Sequence, residues 1–510
     1  MTTKPNASLL QKFLNIIEKG GNALPHPATL FLLFALGTLV VSWVGFLLGW
    51  QVQHPSTHEI VPVKNLLSIE GMRFILEKTV VNFTDFAPLG IVLVALLGIG
   101  IAEHSGLIGV VIRLLVLSSP KGLLTFVLVF SGILSNAASD VGYVLLIPLA
   151  GVIFLAVGRH PIAGMAAAFA GVSGGFSANL ILGTIDPLLA GLSEEAAQII
   201  EPGYHVNPTA NYYFMVVSTF IIALAGTWVT EKIVVPRLGN YTLEEGVVVE
   251  EMHELTKQER KGLRWATVIL IGFMAVILIG LIPENGFFRG ENGELLKSPL
   301  LKGVVTLLFL VAGIIGLVYG IIVGKFKSDA DVMKGMANSM KSLATYIVLV
   351  FFAAQFVAYF KESNLGIYVA VKGAEALIAA DLNVYVLMIL FIIFAASINM
   401  LMGSASAKWA IMAPVFIPMF MLLGYSPELS QAVYRIGDSV TNLISPMMSF
   451  FALIIAFVQK YDSKAGIGTI ISVMIPYSIL FFIVWTLLLM VWIYLGWPLG
   501  PGAELYYLKP

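Results

Sequence analysis

Long apolar runs joined by short polar connections make up most of the chain, with no sustained alternation of period two. A membrane helix needs about 20 mainly apolar residues to cross a core of about 30 Å. Nine segments reach that length: residues 27–50, 82–101, 161–192, 210–235, 264–282, 300–324, 343–361, 428–458 and 466–495. Two more runs, 122–157 and 383–423, are too long for one helix and are broken near the middle. The breaks are Ser135-Asn136-Ala137-Ala138-Ser139-Asp140 and Gly403-Ser404-Ala405-Ser406-Ala407-Lys408. Their shorter arms would reach only about 18–22 Å at about 1.5 Å per residue, so each run predicts a helical hairpin that enters and leaves on one side. The expected fold is an all-α polytopic membrane protein with about nine transmembrane helices and two re-entrant helical hairpins. Continuous apolar runs exclude a membrane β-barrel.

The pattern also repeats. Residues 82–235 and 343–495 each run helix, short amphipathic helix, broken hairpin, interrupted long helix, helix, at an offset near 260 residues. Glu103-His104-Ser105-Gly106-Leu107 corresponds to Glu362-Ser363-Asn364-Leu365-Gly366. Ser177-Ala178-Asn179-Leu180-Ile181, ending at Pro187, matches Ser439-Val440-Thr441-Asn442-Leu443-Ile444, ending at Pro446. The two units start from opposite sides, so the repeat is inverted. Paired, interrupted segments in inverted halves point to a transport site near the midplane. Segments 27–50 and 264–341 would form a scaffold, with Lys325–Lys341 lying along the cytoplasmic surface. Residues 1–26 read as a cytoplasmic lead-in, 236–263 as a cytoplasmic loop and 496–510 as a periplasmic tail.

Composition agrees. The 510 residues are 58% hydrophobic and only 12% charged, about half the charged share of a soluble protein. A net charge of −1 gives no basic footprint for nucleic acid. With no cysteine there is no disulfide, thiolate metal site or cysteine nucleophile. Eighteen Lys and Arg fall on the side of the N-terminus and nine on the other. That bias places the N-terminus inside and the C-terminus outside.

Uncoiled backbone at membrane depth is tolerated only where it lines a cavity or is buried in protein. Four such breaks are expected, at 135–140, 173–187, 403–408 and 437–446, all rich in Ser, Thr, Asn and Gly. Hydroxyl, amide and carbonyl oxygens are hard ligands suited to Na⁺. Ser135, Asn136, Asp140 and Asn179 supply one candidate cation site; Ser404, Ser406 and Asn442 supply its pseudo-symmetric partner. No other metal and no cofactor is implied, and the coupling ion is Na⁺ or H⁺. Ionisable residues inside the membrane are functional candidates by default, which singles out Asp186, Lys408, Arg435 and Asp438. Arg435 and Asp438 stand one turn apart, so an intrahelical ion pair is one reading. The other gives Arg435 a substrate carboxylate and lets Asp438 respond to a cation. Trp409 either stacks on an aromatic ligand or packs, and Pro427 starts a helix.

Two rival classes have their own marks. Gly171-Val172-Ser173-Gly174-Gly175 resembles a serine-hydrolase elbow, but no strand precedes it and the histidines that follow lie in polar loops. A passive channel would not need an inverted pair of ion-lined breaks.

Four motifs carry a family resemblance: the Ser135–Asp140 run, Ala156-Val157-Gly158-Arg159-His160-Pro161, Gly403–Trp409, and Tyr434-Arg435-Ile436-Gly437-Asp438-Ser439. Together they resemble the p-aminobenzoyl-glutamate transporter family (AbgT), from Pro25 to Gly502. The resemblance implies a homodimer in the lipid bilayer and cation-coupled secondary transport of p-aminobenzoyl-glutamate or related aromatic acids. Export of p-aminobenzoate and sulfonamide antimetabolites is a variant of it. It also implies substrate-site roles for Asp186, Trp409, Arg435 and Asp438, with Asn399, Ser406 and Pro427 beside them. A sodium-coupled carrier of dicarboxylates or other anions is the alternative within the same superfamily.

Overall fold

The computed structural model describes residues 25–53, 59–137, 142–241, 255–290, 293–295, 298–448 and 450–507. Its architecture is helical; a two-stranded antiparallel ribbon, Gln51–Gln53 against Ile60–Pro62, is the one sheet among the described residues.

Helix α1 (Pro27–Leu47) opens on a proline and packs on a later helix of the second repeat. Helix α2 (Ile69–Thr84) is an element the hydropathy pattern does not predict, because Glu70, Arg73, Glu77 and Lys78 interrupt its apolar residues. Ser68 caps it, accepting from the Gly71 amide at 3.1 Å. The first repeat follows: α3 (Ala87–His104), α4 (Leu107–Leu117), hairpin arms α5 (Leu124–Ser135) and α6 (Ile147–Ala156), the broken pair α7 (Pro161–Phe169) and α8 (Ile185–Ala197), and α9 (Tyr212–Val229). Between the repeats lie α10 (Lys257–Leu281), α11 (Val304–Ile322) and α12 (Asp329–Ser342). Helix α10 begins seven residues before the expected 264, because Thr256 and Glu259 form a reciprocal cap on its polar first turn. The second repeat is α13 (Ala344–Glu362), α14 (Leu365–Ala379), hairpin arms α15 (Val384–Asn399) and α16 (Ala405–Leu422), the broken pair α17 (Pro427–Asn442) and α18 (Phe451–Gln459), and α19 (Ile467–Leu495).

The repeat holds down to single contacts. Between α3 and α4, Ser105 Oγ donates to Ala102 O and accepts from the Leu107 amide, while Gly106 takes a φ of +85°. Between α13 and α14, Ser363 Oγ makes the same two bonds, to Phe360 O and from the Leu365 amide, and Asn364 takes a φ of +61°. Glycine and asparagine are the residues that tolerate this left-handed turn. A methyl on Gly171 would stand 2.1 Å from Val129 O, and one on Gly437 would stand 2.5 Å from Ile392 O. Each glycine thus lets a broken helix pack directly on its own hairpin.

Helices α10 and α11 pack on each other, and α11 and α12 lie against α3. The main buried core joins the two hairpins to the broken helices: α15 packs on α17, α16 on α8 and α14, α9 on α5 and α19.

Candidate functional site

The breaks fall a few residues from where composition alone puts them. The first long run uncoils over residues 175–184, after a widened turn at Ala170–Gly174, and not over 173–187. Asp186 and Pro187 therefore belong to the first turn of α8, where Asp186 Oδ2 accepts from the Gly183 amide at 2.7 Å. The second hairpin uncoils over residues 400–404, not 403–408, because Ser404 caps α16 and lets Ser406 and Lys408 coil. The last break falls after Asn442, over 443–448 and 450 among the described residues and not over 437–446, so Arg435, Asp438 and Asn442 all stand on intact helix. The glycine contacts pair Gly171 with Gly437, which corrects the register matching Asn179 to Asn442.

These breaks converge. A cavity of about 340 Å³ is lined by Tyr143 of the first hairpin, Phe176 and Thr184 of the first broken pair, and Gly403 and Ser406 of the second hairpin tip; Asn442, Met448 and Phe450 complete the second broken pair's share. Tyr143 and Phe450 stack across the two repeats with ring centroids 4.4 Å apart and planes 10° apart. Tyr346 of α13 also lines the cavity, and its hydroxyl is buried with no hydrogen-bond partner among the described residues.

Four buried charges, Asp186, Lys408, Arg435 and Asp438, stand on the elements that line this cavity or border it in sequence. The expected pair within α17 does not form. Arg435 Nη2 instead meets Asp186 Oδ1 at 2.7 Å, joining α17 to α8 across the repeats. Asp438 Oδ1 meets Lys408 Nζ at 2.5 Å, joining α17 to α16. One turn of helix separates Arg435 from Asp438, but each side chain finds a closer opposite charge on another element. The Arg435–Asp186 contact is an ion pair without hydrogen-bond alignment, so Arg435 Nε and Nη2 keep donors unused among the described residues. Lys408 does not snorkel: it is fully buried and also donates to Asn399 Oδ1. Asn399 Nδ2 in turn lies 2.7 Å from Asp438 O, 2.9 Å from Thr441 Oγ1 and 2.8 Å from Asn442 Oδ1.

The remaining candidates divide. Ser406 and Asn442 line the cavity. Trp409 is not among the residues that line this cavity; it is fully buried, stacks on Tyr434 at 4.4 Å and donates Nε1 to Ser193 Oγ at 2.9 Å. Pro427 is the first residue of α17, behind the Ser426 cap. Ser135 Oγ donates back to Gly132 O, and Asn179 Oδ1 accepts from the Leu180 and Ile181 amides, so both oxygens serve the local backbone. Asn136 Nδ2 donates to Val172 O, while its Oδ1 is buried without a partner among the described residues. Asp140 lies outside the described residues. Ser173 Oγ lies 3.2 Å from Tyr143 OH and 2.8 Å from Met448 Sδ; no histidine is among its described hydrogen-bond partners.

Sequence reasoning missed a buried relay next to this cluster. Ser193 Oγ donates to Gln431 Oε1, Gln431 Nε2 to Asn211 Oδ1, and Asn211 Nδ2 to Glu428 O. The signal was present, since Glu428, Gln431, Arg435, Asp438 and Asn442 recur at three- and four-residue steps along one face of α17.

Two related halves, each broken within an apolar run, line one cavity, and two buried ion pairs join the same elements. This arrangement defines a helical membrane transporter. The chain belongs to the AbgT transporter family, whose sequence profile matches residues 12–507. It is 38% identical over 503 residues to the Escherichia coli (strain K12) p-aminobenzoyl-glutamate transport protein, covering 98% of both chains. Two solved structures are similar. The Neisseria gonorrhoeae MtrF structure, described as illuminating a class of antimetabolite efflux pumps, is 52% identical with a TM-score of 0.91; the match covers 96% of this chain and 100% of that one. The Alcanivorax borkumensis YdaH transporter is 47% identical with a TM-score of 0.89; the match covers 94% and 100%.

Proposed function

We propose that the protein is a cation-coupled secondary transporter of p-aminobenzoyl-glutamate or a related aromatic carboxylate such as p-aminobenzoate. The observation that carries this reading is the convergence of breaks from both repeats on one aromatic-lined cavity. Tyr143, Phe176 and Phe450 offer ring faces to a benzoyl group. The unpartnered Tyr346 hydroxyl offers one donor or acceptor to its amine or amide. Arg435, with unused donors and paired with Asp186 next to the cavity-lining Thr184 and Ile185 in sequence, is the group suited to a carboxylate. The relatives' names, a p-aminobenzoyl-glutamate transport protein and an antimetabolite efflux pump, favour this substrate class over a simple dicarboxylate. We place it in a bacterial inner membrane, and the eighteen-to-nine charge bias supports an N-terminus inside. The largely exposed apolar length of α10 leaves room for the partner of a homodimer or for lipid.

For coupling, the buried and unpartnered Asn136 Oδ1 suits a monovalent cation, whereas the equivalent Asn399 Oδ1 is already taken by Lys408. Purified protein in liposomes should move labelled p-aminobenzoyl-glutamate uphill under a Na⁺ or a pH gradient imposed separately. Equal flux with both gradients collapsed would sink the coupled mechanism.

A further inference from the structure

The two hairpin tips are built alike and filled differently. Asn136 and Asn399 occupy equivalent places, each donating Nδ2 to a carbonyl of its own broken helix, Val172 O and Asp438 O. Their amide oxygens part company. Asn136 Oδ1 is buried and accepts nothing among the described residues. Asn399 Oδ1 accepts from the Lys408 ammonium, which also meets Asp438 Oδ1 at 2.5 Å. In the first repeat no charged side chain meets Asn136 among the described residues.

Lys408 is thus a monovalent cation enclosed by oxygen ligands from the elements that would enclose a free one. Asp438 gets its countercharge from this ammonium, because Arg435, one turn away, is paired with Asp186. The other charged side chains of the packed neighbours α13 and α14, Lys361, Glu362, Lys372 and Glu375, lie at the surface. A second positive charge beside Nζ would be strongly repelled in such a dry pocket. We propose that Lys408 is a tethered cation: its ammonium takes the place of a free monovalent ion in the second half of the repeat. A diffusible ion is then left the first half, at Asn136. The inference deepens the proposed cation coupling and rests on it only for its consequence in transport.

The test reads binding first. Thermal unfolding of purified wild type and Lys408→Ala is followed in detergent against NaCl, with choline chloride at equal ionic strength, and separately against methylammonium. Lys408→Ala should gain a Na⁺-dependent rise in Tm on top of any wild-type response at the same concentrations. Methylammonium should stabilise the variant and leave wild type unmoved. Adding Asp438→Asn to Lys408→Ala should remove both gains. Matching Na⁺ and methylammonium responses in wild type and Lys408→Ala would overturn the proposal. Should Lys408→Ala not fold, Lys408→Gln, which keeps a polar side chain one atom shorter and loses the charge, is held to the same two criteria. Wild-type protein that fails to carry any aromatic carboxylate in liposomes would defeat the functional reading while leaving these binding results to decide the role of Lys408.

Discussion

Replacing Arg435 with glutamine leaves the Asp186 carboxylate buried opposite a neutral amide. At 2.7 Å and an effective dielectric of about 20, the intact pair attracts by about 6 kcal/mol. Removing each ion from water costs several kcal/mol, so the pair as a whole contributes close to nothing net. Breaking it from one side is different, because the surviving charge keeps its desolvation cost; such losses run to about 3–5 kcal/mol. Asp186 retains the Gly183 amide on Oδ2, which places Arg435→Gln near the lower end, at about 3 kcal/mol. Arg435 has no hydrogen-bonded substitute among the described residues, which places Asp186→Asn nearer the upper end, at about 5 kcal/mol. The double variant removes both charges together and should lose at most about 1 kcal/mol, far less than the two single losses combined. Denaturant titration in mixed micelles of all four proteins gives the cycle. Additivity within about 0.5 kcal/mol would refute a direct Arg435–Asp186 interaction. The double variant should also fold without binding the carboxylate substrate, which separates stability from recognition.

Gly171→Ala and Gly437→Ala each force a methyl against a hairpin carbonyl and should cost about 1–3 kcal/mol apiece in thermal unfolding. Gly272→Ala, with nothing within 4 Å of the added carbon, is the control and should be neutral or slightly stabilising; equal losses at all three positions would refute the packing argument. Trp409→Phe keeps the Tyr434 stack and loses the Ser193 bond, so it should cost about 1–3 kcal/mol and retain substrate binding. Binding lost at unchanged stability would return Trp409 to the ligand. Burial holds the His160 imidazole below its usual value of 6.5, against the opposing pull of Asp462. The neutral ring caps α7, its Nδ1 accepting from the Ile162 amide at 3.3 Å. The unfolded chain therefore takes up this proton at higher pH than the folded one, and stability should fall as pH drops below about 6.5. An unchanged pH profile in His160→Ala would show that another group is responsible.

One feature was legible because it is steric. A left-handed turn admits Gly106 or Asn364, and the matched segments 103–107 and 362–366 carry one in each half. The direct packing of Gly171 and Gly437 on the hairpins was not legible, because it shows only once the helices meet. Break positions were legible only within a few residues. Ser, Gly and Asn mark where a helix can uncoil, but cap bonds fix the boundary: Ser404 keeps 405–408 helical and Asp186 gathers Gly183 onto the start of α8.

Charge partners were not legible, and α17 explains why. Its polar stripe is visible from spacing alone, yet each member meets a different element. Glu428 takes the Tyr204 hydroxyl, Gln431 meets Ser193 of α8, Arg435 meets Asp186 of α8, Asp438 meets Lys408 of α16, and Asn442 meets Asn399 of α15. Local spacing favours Arg435 with Asp438 by a few tenths of a kcal/mol, an amount of about 0.2–0.5 on an exposed helix. In a dry interior the losing alternative leaves Asp186 and Lys408 as two unpaired charges, each costing several kcal/mol. Interhelical pairing wins by an order of magnitude. A stripe of this kind therefore locates the site from sequence, while the fold alone decides which charge meets which.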